Sequence, residues 1–236
     1  MNIEIRLPSP GKKLEPRQRF VLWNVGWDAY EKIVDALNEQ HVRVTYDRGD
    51  IELMSPLPIH EAIKVWFGHF MLVLAEELDF PVRGVGSPTF RRRILDRGLE
   101  PDDCYYLASA AKVVDWVTLN LDRDPPPDLA LEVEITSSCL DRMGVYAGLG
   151  VPEVWRFEGE QWHIHLLGIA GTYQESSSSA ALPYLPIPEI MPVMLQSLHV
   201  GDDRERFRIL RRWVRERVLP LRQAWQQQTP PAGANP

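Results

Sequence analysis

The chain has 236 residues, of which 44% are hydrophobic and 25% are charged, and its formal net charge is −7. This length fits one sizeable domain with a buried core and is too short for two large ones. The negative charge argues against a simple nucleic-acid coat, because phosphate contacts need Lys and Arg, but it is compatible with a nuclease, whose metal site is itself acidic. The sequence contains no run of about 18 apolar residues and no apolar signal core, so we expect a cytoplasmic protein that does not cross a membrane.

The first half of the chain predicts two helices separated by a β-hairpin. Apolar residues at helical spacing favour helices, and the alternating segments on either side of Gly49 favour paired strands joined by a turn. In chain order, the predicted elements are a polar, flexible arm over 1–19, a helix over 27–40, strands over 42–46 and 51–54, and a long helix over 59–78.

The second half of the chain predicts further strands and one short helix. Predicted strands lie around 82–86, 88–95, 102–107, 128–135, 151–157 and 161–167, with a helix over 137–150. Ser137 or Ser138 is the expected N-cap of that helix, and Gly150 is its expected end.

This order of elements indicates an α/β or α+β sandwich, with a central mixed β-sheet flanked by helices. We expect this domain to occupy residues 20–200. A basic amphipathic helix is predicted to follow over 201–228, and the tail over 229–236 is predicted to be disordered.

Two glutamates share one face of the strand predicted over 128–135. Because strand side chains alternate, Glu132 and Glu134 lie opposite the apolar face of that strand. Like charges in a core repel one another and are costly to desolvate, so a cation beside them would explain the pair. Asp102, at the start of another strand, is the natural partner, because Mg²⁺ binds carboxylate oxygens and water. A solvated face on an edge strand is the alternative, and alternation alone leaves both interpretations open.

The remaining chemistry-bearing residues give weaker signals. Arginines cluster at 91–93 and between Arg204 and Arg217. Both clusters are candidates for contacts with a DNA backbone, and both are also typical of a solvated outer surface. Cys104 and Cys139 show no metal-ligand spacing, and we expect both to be small buried residues.

Four segments carry a resemblance to a known family. In chain order they are RVTYDRGDIELMSPLPIHEAI, GLEPDDCYYL, PDLALEVEITSS and the helix that ends in YAGLGVPEVWRF, and they span roughly residues 20 to 170. This series resembles the Uma-two family of restriction-endonuclease-like proteins, a branch of the PD-(D/E)XK nuclease superfamily. The resemblance implies a restriction-endonuclease-like fold and a DNA endonuclease that depends on Mg²⁺ or Mn²⁺ and acts as a homodimer.

The resemblance also implies roles for particular residues. Asp102 matches the first acidic residue, the D of the PD, and Glu132 matches the acid of the (D/E)XK half. Glu52 matches a family glutamate that reaches the same site, so the implied metal ligands are Asp102, Glu132 and Glu52. His60 matches a histidine that follows the MSP segment, and we interpret it as a capping or core residue at the start of a helix.

Two positions depart from the family pattern. Glu134 stands where the superfamily has its lysine, and Arg142 stands where the Uma-two pattern places a lysine four residues before a tyrosine, here Tyr146. An arginine can hold a phosphate or stabilise charge, but it is a poor general base because its pKa stays above about 12. The implied catalytic set is therefore Asp102, Glu132, Glu134 and Arg142, with water activation left to the metal or to Glu134.

Two other functions stay open. The missing lysine is compatible with a catalytically inactive binding or assembly module on a nuclease fold. His163 and His165 share one face of a predicted strand and would suit a different metal-dependent hydrolase, although no third ligand stands at a fixed spacing. Metal preference separates these cases, because a histidine site favours zinc and a carboxylate site favours Mg²⁺ or Mn²⁺.

Overall fold

The computed structural model describes residues 18–37, 40, 42–135, 138–158 and 160–228. In these residues the chain forms a mixed α+β fold with one five-stranded and one six-stranded β-sheet. Helices pack on both sheets and between them. No helix in the described ranges is long and apolar enough to cross a membrane.

The smaller sheet is antiparallel throughout and is built around the predicted hairpin. In spatial order its strands are β1 (Arg19–Leu22), β3 (Asp50–Met54), β2 (Arg43–Asp47), β6 (Arg97–Leu99) and β5 (Phe90–Arg92). Gly49 makes the hairpin turn with a φ of 98°, a conformation that glycine adopts without steric cost. Helix α1 (Trp27–Leu37) packs on this sheet, where Tyr30 stacks on Tyr46 with ring centroids 4.4 Å apart.

The larger sheet contains the one parallel pairing among the described strands. In spatial order its strands are β11 (Tyr173–Ser176), β10 (Gln161–Leu167), β9 (Glu153–Glu158), β8 (Leu129–Val133), β7 (Asp103–Tyr106) and β4 (Arg83–Gly84). β8 and β9 run parallel, and helix α3 (Arg142–Leu149) lies between them in the chain. β8 pairs with a strand on each side and is therefore a central strand. The alternative considered from the sequence, that Glu132 and Glu134 lie on a solvated edge strand, is wrong.

Helix α3 lies between the two sheets. Its buried residues Val145, Tyr146 and Leu149 belong to a cluster that also contains Phe90 and Leu99 of the smaller sheet and Cys104, Ala130 and Val154 of the larger sheet. The first turn of α3 can therefore reach side chains from both sheets, which decides the geometry of the candidate site.

Helix α2 (Pro58–Leu78) supplies the main core on the larger sheet. Its apolar stripe was predicted from the sequence, and Trp66, Phe67 and Phe70 are fully buried. Phe67 packs edge-on against Trp155 with ring centroids 5.5 Å apart and lies 5.3 Å from Trp162. The two tryptophans of the last predicted hairpin are thus core residues.

The C-terminal part of the chain forms a helical layer beside α2. It consists of α4 (Ile187–Leu198), α5 (Asp203–Trp213), a π-helical segment (Val214–Val218) and α6 (Leu219–Gln228). Leu210, Val214 and Val218 are buried in the main core. The arginines of this layer pair with carboxylates, in the contacts Arg211–Glu76, Arg215–Glu77 and Arg217–Glu189. These ion pairs offset the positive charge of the segment between Arg204 and Arg217, which the sequence analysis named as a candidate for contacts with DNA.

The α+β class predicted from the sequence is confirmed, with two sheets where one central sheet was expected. Strands β1, β6 and β11 and helix α4 were not predicted. Residues 1–17 of the predicted arm and the predicted tail over 229–236 lie outside the described residues.

Two local predictions are corrected. Helix α3 begins at Arg142, and its N-cap is Asp141, whose side chain accepts a hydrogen bond from the Gly144 N–H at 2.9 Å. Ser138 is therefore not the N-cap, and Ser137 lies outside the described residues. Gly150 ends the helix as predicted. Cys104 is buried as expected, but Cys139 is exposed, because it lies in the irregular segment before α3.

Candidate active site

Asp102 and Glu132 lie side by side on neighbouring strands. β7 and β8 pair antiparallel with Asp103 opposite Leu131. One step along this register, Asp102 faces Glu132. The Asp102 N–H donates to the Leu131 carbonyl at 3.2 Å, and Asp102 Oδ2 accepts from the Val133 N–H at 2.7 Å. Both carboxylates are buried, with 6% of Asp102 and 7% of Glu132 exposed.

Every site residue predicted from the sequence lines one small cavity. Its volume is about 30 Å³, and since one water needs about 10–15 Å³, it can hold one or two species of that size. The lining residues are Arg43, Thr45, Glu52, Met54, Asp102, Glu132, Val133, Glu134, Ser138 and Arg142. The structure therefore brings Asp102, Glu132, Glu134, Arg142 and Glu52 together from β3, the ends of β7 and β8, and α3.

Arg142 is bound tightly to Glu132. Its Nε donates to Glu132 Oε2 at 3.0 Å and its Nη2 donates to Glu132 Oε1 at 2.6 Å, which is the bidentate geometry that a guanidinium prefers. Arg142 also donates to Thr45 Oγ1 and, at 2.8 Å, to the Glu100 carbonyl. Tyr146, one turn later on the same face of α3, donates its hydroxyl to Glu132 Oε1.

Burial acts in opposite directions on the two proton equilibria of this pair. It raises the pKa of Glu132 above the ordinary value, although the charge of Arg142 opposes the shift. Burial by itself would lower the pKa of Arg142, but the charge and hydrogen bonds of Glu132, together with the neighbouring Tyr146 and Asp102, outweigh it, and the pKa lies above the ordinary range. Arg142 therefore stays charged at neutral pH and cannot act as a general base. Burial likewise raises the pKa of Tyr146, so its hydroxyl remains a donor.

Glu52 reaches the cavity from the smaller sheet. It is 3% exposed, and its carboxylate accepts hydrogen bonds from Ser138 Oγ and, at 3.0 Å, from the Cys139 N–H. Arg19 Nε lies 3.2 Å from Glu52 Oε1. Glu52 therefore ties the segment before α3 to the smaller sheet.

Glu134 lies just beyond the end of β8. Its Oε2 accepts from Arg156 Nη2 at 2.8 Å, and the same nitrogen lies 3.2 Å from Glu158. Glu132 and Glu134 both line the cavity, which agrees with the shared strand face predicted for them from alternation.

Arg43 and Lys64 are cavity-side cations that the sequence reasoning missed. Arg43, on β2, lines the cavity, and its Nε lies 3.6 Å from Asp102 Oδ1. Lys64, on α2, donates to Ser87 Oγ at 3.2 Å, and Ser87 Oγ donates to the Asp102 carbonyl at 2.6 Å. Arg43 opens the segment RVTYDRGDIELMSPLPIHEAI and Lys64 comes directly after it, but nothing in that segment marked either residue as part of the site.

The histidines take structural positions. His60 Nδ1 accepts a hydrogen bond from the Leu57 N–H at 3.0 Å, which confirms its interpretation as a capping residue of α2. His163 Nδ1 lies 2.7 Å from Glu175 Oε1. In the part of the chain that the structure describes, no group of three His, Cys, Asp or Glu side chains is arranged to hold a metal ion.

An arginine faces each carboxylate of the cavity. The pairs are Arg19–Glu52, Arg43–Asp102, Arg142–Glu132 and Arg156–Glu134, at 3.2, 3.6, 2.6 and 2.8 Å. The charges of the site are thus offset within the protein, and the Arg43–Asp102 contact is the longest of the four.

The mixed fold and its acidic cavity between paired strands define a restriction-endonuclease-like α+β protein. Residues 27–201 match the model of the Uma2 family, described as "Putative restriction endonuclease". The chain therefore belongs to this family, whose description indicates a nuclease. No curated protein matches the chain.

Proposed function

We propose that this protein is a metal-dependent DNA endonuclease of the PD-(D/E)XK type, which hydrolyses phosphodiester bonds with Mg²⁺ or Mn²⁺. The observation that carries the proposal is the meeting of Asp102 and Glu132, from two adjacent strands, in a buried cavity of about 30 Å³. The family match supports the same class of reaction.

The donor atoms suit a hard divalent cation, because carboxylate oxygens are the ligands that Mg²⁺ and Mn²⁺ prefer. Asp102 and Glu132 would hold the ion, with Glu52 at the cavity wall as the further carboxylate proposed from the sequence. Among the described residues, Asp102 Oδ1 has only the 3.6 Å contact with Arg43. When bound, the ion supplies polarisation of the phosphodiester and a lowered pKa for a water ligand.

The protein's own residues orient this site. Arg142 and Tyr146 fix the Glu132 carboxylate through three hydrogen bonds. In the proposed enzyme Glu134 orients the attacking water from the cavity wall, held in turn by Arg156. Since Arg142 cannot accept a proton, its role is to position Glu132. We further propose that the enzyme is a cytoplasmic homodimer that acts on DNA, as its family resemblance implies.

One observation favours a second candidate, a catalytically inactive module that binds DNA or assembles on a nuclease fold. Both oxygens of Glu132 already accept hydrogen bonds from Arg142, and Tyr146 adds another. A metal ion would therefore share Glu132 with a guanidinium. If the metal ion cannot share Glu132, the protein has the fold of a nuclease but does not catalyse the reaction.

Plasmid cleavage with Mg²⁺ or Mn²⁺ tests the proposal, together with calorimetric Mn²⁺ binding. We expect Asp102→Asn and Glu132→Gln each to reduce cleavage by at least about 100-fold, because ligands of the ion count for at least as much as their supporting residues. Asp35→Asn removes an exposed carboxylate near Arg91 and serves as the control. Mn²⁺ binding without cleavage by the wild type would favour the inactive module, and cleavage that survives in Asp102→Asn would show that the assigned site is wrong.

A further inference from the structure

The mouth of the cavity carries a guanidinium that is held only loosely. Among the described residues, Arg43 Nε has no hydrogen-bond partner, although it is buried. The nearest carboxylate atoms lie at long distances, Asp102 Oδ1 at 3.6 Å from Nε and Glu61 Oε1 at 3.4 Å from Nη2. The Glu61 side chain is 47% exposed and the Arg43 side chain is 14% exposed, so solvent reaches this contact from the side of the carboxylate.

A second cation meets Arg43 at the same carboxylate. Lys64 lies three residues after Glu61 on α2, and its Nζ is 3.6 Å from Glu61 Oε2. Arg43 approaches the other oxygen, Oε1. One half-exposed carboxylate therefore bridges a guanidinium and an ammonium. Lys64 is also linked to the Asp102 carbonyl through Ser87, which fixes this position beside the candidate site.

Arg142 and Arg43 differ in how many of their guanidinium donors are already hydrogen-bonded. Arg142 donates to both oxygens of Glu132, to Thr45 Oγ1 and to the Glu100 carbonyl. Binding a phosphate would break this set and leave Glu132 buried and unpaired, which is costly. Arg43 has only long contacts to lose, so it can turn its donors to a new anion.

We propose that Arg43 and Lys64 form a phosphate-binding pair at the mouth of the Asp102–Glu132 cavity, and that Glu61 occupies the position of the phosphate when no nucleic acid is bound. A phosphate bridges the two cations as the Glu61 carboxylate does, and a guanidinium fork matches its oxygens well. The Glu61 carboxylate is half-exposed and lies 3.4 Å from Arg43 Nη2 and 3.6 Å from Lys64 Nζ, so these contacts are weak and a DNA phosphate can displace it. The proposal rests on the proposed function only in taking the phosphate to be that of DNA.

This pair would place a backbone phosphate directly beside the carboxylate of Asp102. The pair also places a lysine, Lys64 of α2, beside the candidate site. The chain lacks a lysine at both positions where the sequence pattern of the family expects one. Lys64 acts here as a phosphate ligand and not as a proton acceptor. The partner implied is a polyanionic nucleic-acid backbone read by charge and not by base sequence.

The test measures DNA binding without cleavage. A fluorescently labelled duplex is titrated in EDTA at several salt concentrations, and affinity is read by anisotropy. At 0.1 M salt we expect Arg43→Gln and Lys64→Gln each to weaken binding by about eightfold and to reduce the salt slope by about 0.9, the loss of one phosphate contact. Glu61→Gln removes the competing carboxylate and is expected to tighten binding. Arg43→Lys keeps the charge and should retain part of the affinity.

An ion pair between α5 and α2 provides the control. Arg211 of α5 lies 2.7 Å from Glu76 of α2, and their side chains are 42% and 62% exposed. We expect Arg211→Gln and Glu76→Gln to change neither affinity nor salt slope. Circular dichroism and thermal unfolding confirm that each variant is folded.

The outcomes separate this inference from the proposed function. If folded Arg43→Gln and Lys64→Gln bind as the wild type does, or if the wild type binds no DNA, the phosphate pair is wrong, whether or not a plasmid is cut. If binding depends on Arg43 and Lys64 but no metal supports cleavage, the nuclease proposal fails and the phosphate pair stands.

Discussion

Two glutamate–arginine pairs of this protein have nearly the same geometry in two different regions. In the cavity, Arg142 donates to Glu132 at 3.0 and 2.6 Å; in the C-terminal helical layer, Arg217 donates to Glu189 at 3.1 and 2.7 Å. Each glutamate has an aromatic donor as well, Tyr146 for Glu132 and a tryptophan indole for Glu189.

Their surroundings shift the pKa values of the two glutamates in opposite directions. The side chains of Glu132 and Arg142 are 9% and 14% exposed, whereas those of Glu189 and Arg217 are 33% and 59% exposed. Burial raises the pKa of Glu132. The hydrogen bond from Arg217 lowers the pKa of Glu189, because little desolvation opposes it. The same contact thus stabilises a surface charge in one region and only partly compensates a buried charge in the other.

The largest expected effect comes from breaking the buried pair. Arg142→Gln leaves Glu132 as a buried charge without its counter-ion, and we expect a loss of about 3–5 kcal/mol in the free energy of unfolding, measured with urea. Arg217→Gln is the matched control, and we expect a much smaller loss because water solvates Glu189. Equal losses in the two variants would contradict the role of burial.

Removing the aromatic donor of the cavity should have an intermediate effect. Tyr146→Phe deletes a hydrogen bond to a charged, buried acceptor, which is worth about 1.5–3 kcal/mol. Tyr106→Phe is the control, since its hydroxyl donates to the neutral Pro125 carbonyl at 2.9 Å and such a bond is worth about 0.5–1.5 kcal/mol. Urea unfolding of both variants would show whether the charge of the acceptor decides the cost.

The smallest expected effect is a difference in how the contributions of Glu132 and Glu189 to folding stability depend on pH. Glu132 has a raised folded-state pKa, so its contribution to stability is present below the unfolded value and is lost as pH rises through the folded value. Glu189 has a lowered pKa, so its contribution is present above the unfolded value and is lost as pH falls. Relative to the wild type, Glu132→Gln should therefore gain stability as pH rises above the ordinary glutamate pKa of 4.5, and Glu189→Gln should gain stability as pH falls below it. Unfolding free energies across this range check the sign, and parallel curves would contradict the comparison.

Local patterns predicted most elements of this protein and the shared face of Glu132 and Glu134, whereas Glu52 and Arg142 were implied only by the family resemblance. Alternation on β8 separated Leu131 from Glu132, because strand side chains point to opposite faces. The apolar stripe of α2 predicted its length almost to the residue, from 59–78 against Pro58–Leu78. These features depend on near neighbours in the chain, so periodicity alone determines them.

Only the tertiary structure decided which partners these residues meet. Ser138 was predicted as a helix cap, but it donates to Glu52, a residue 86 positions away. The family resemblance implied that Arg142 holds a phosphate or stabilises charge, and the position of α3 between the two sheets brings it onto Glu132. Arg43 of β2 and Lys64 of α2 meet only through Glu61, and both reach Asp102, Arg43 directly and Lys64 through Ser87. Which strands pair, and how a helix docks on them, depends on burying surface from distant segments, and local spacing does not encode that choice.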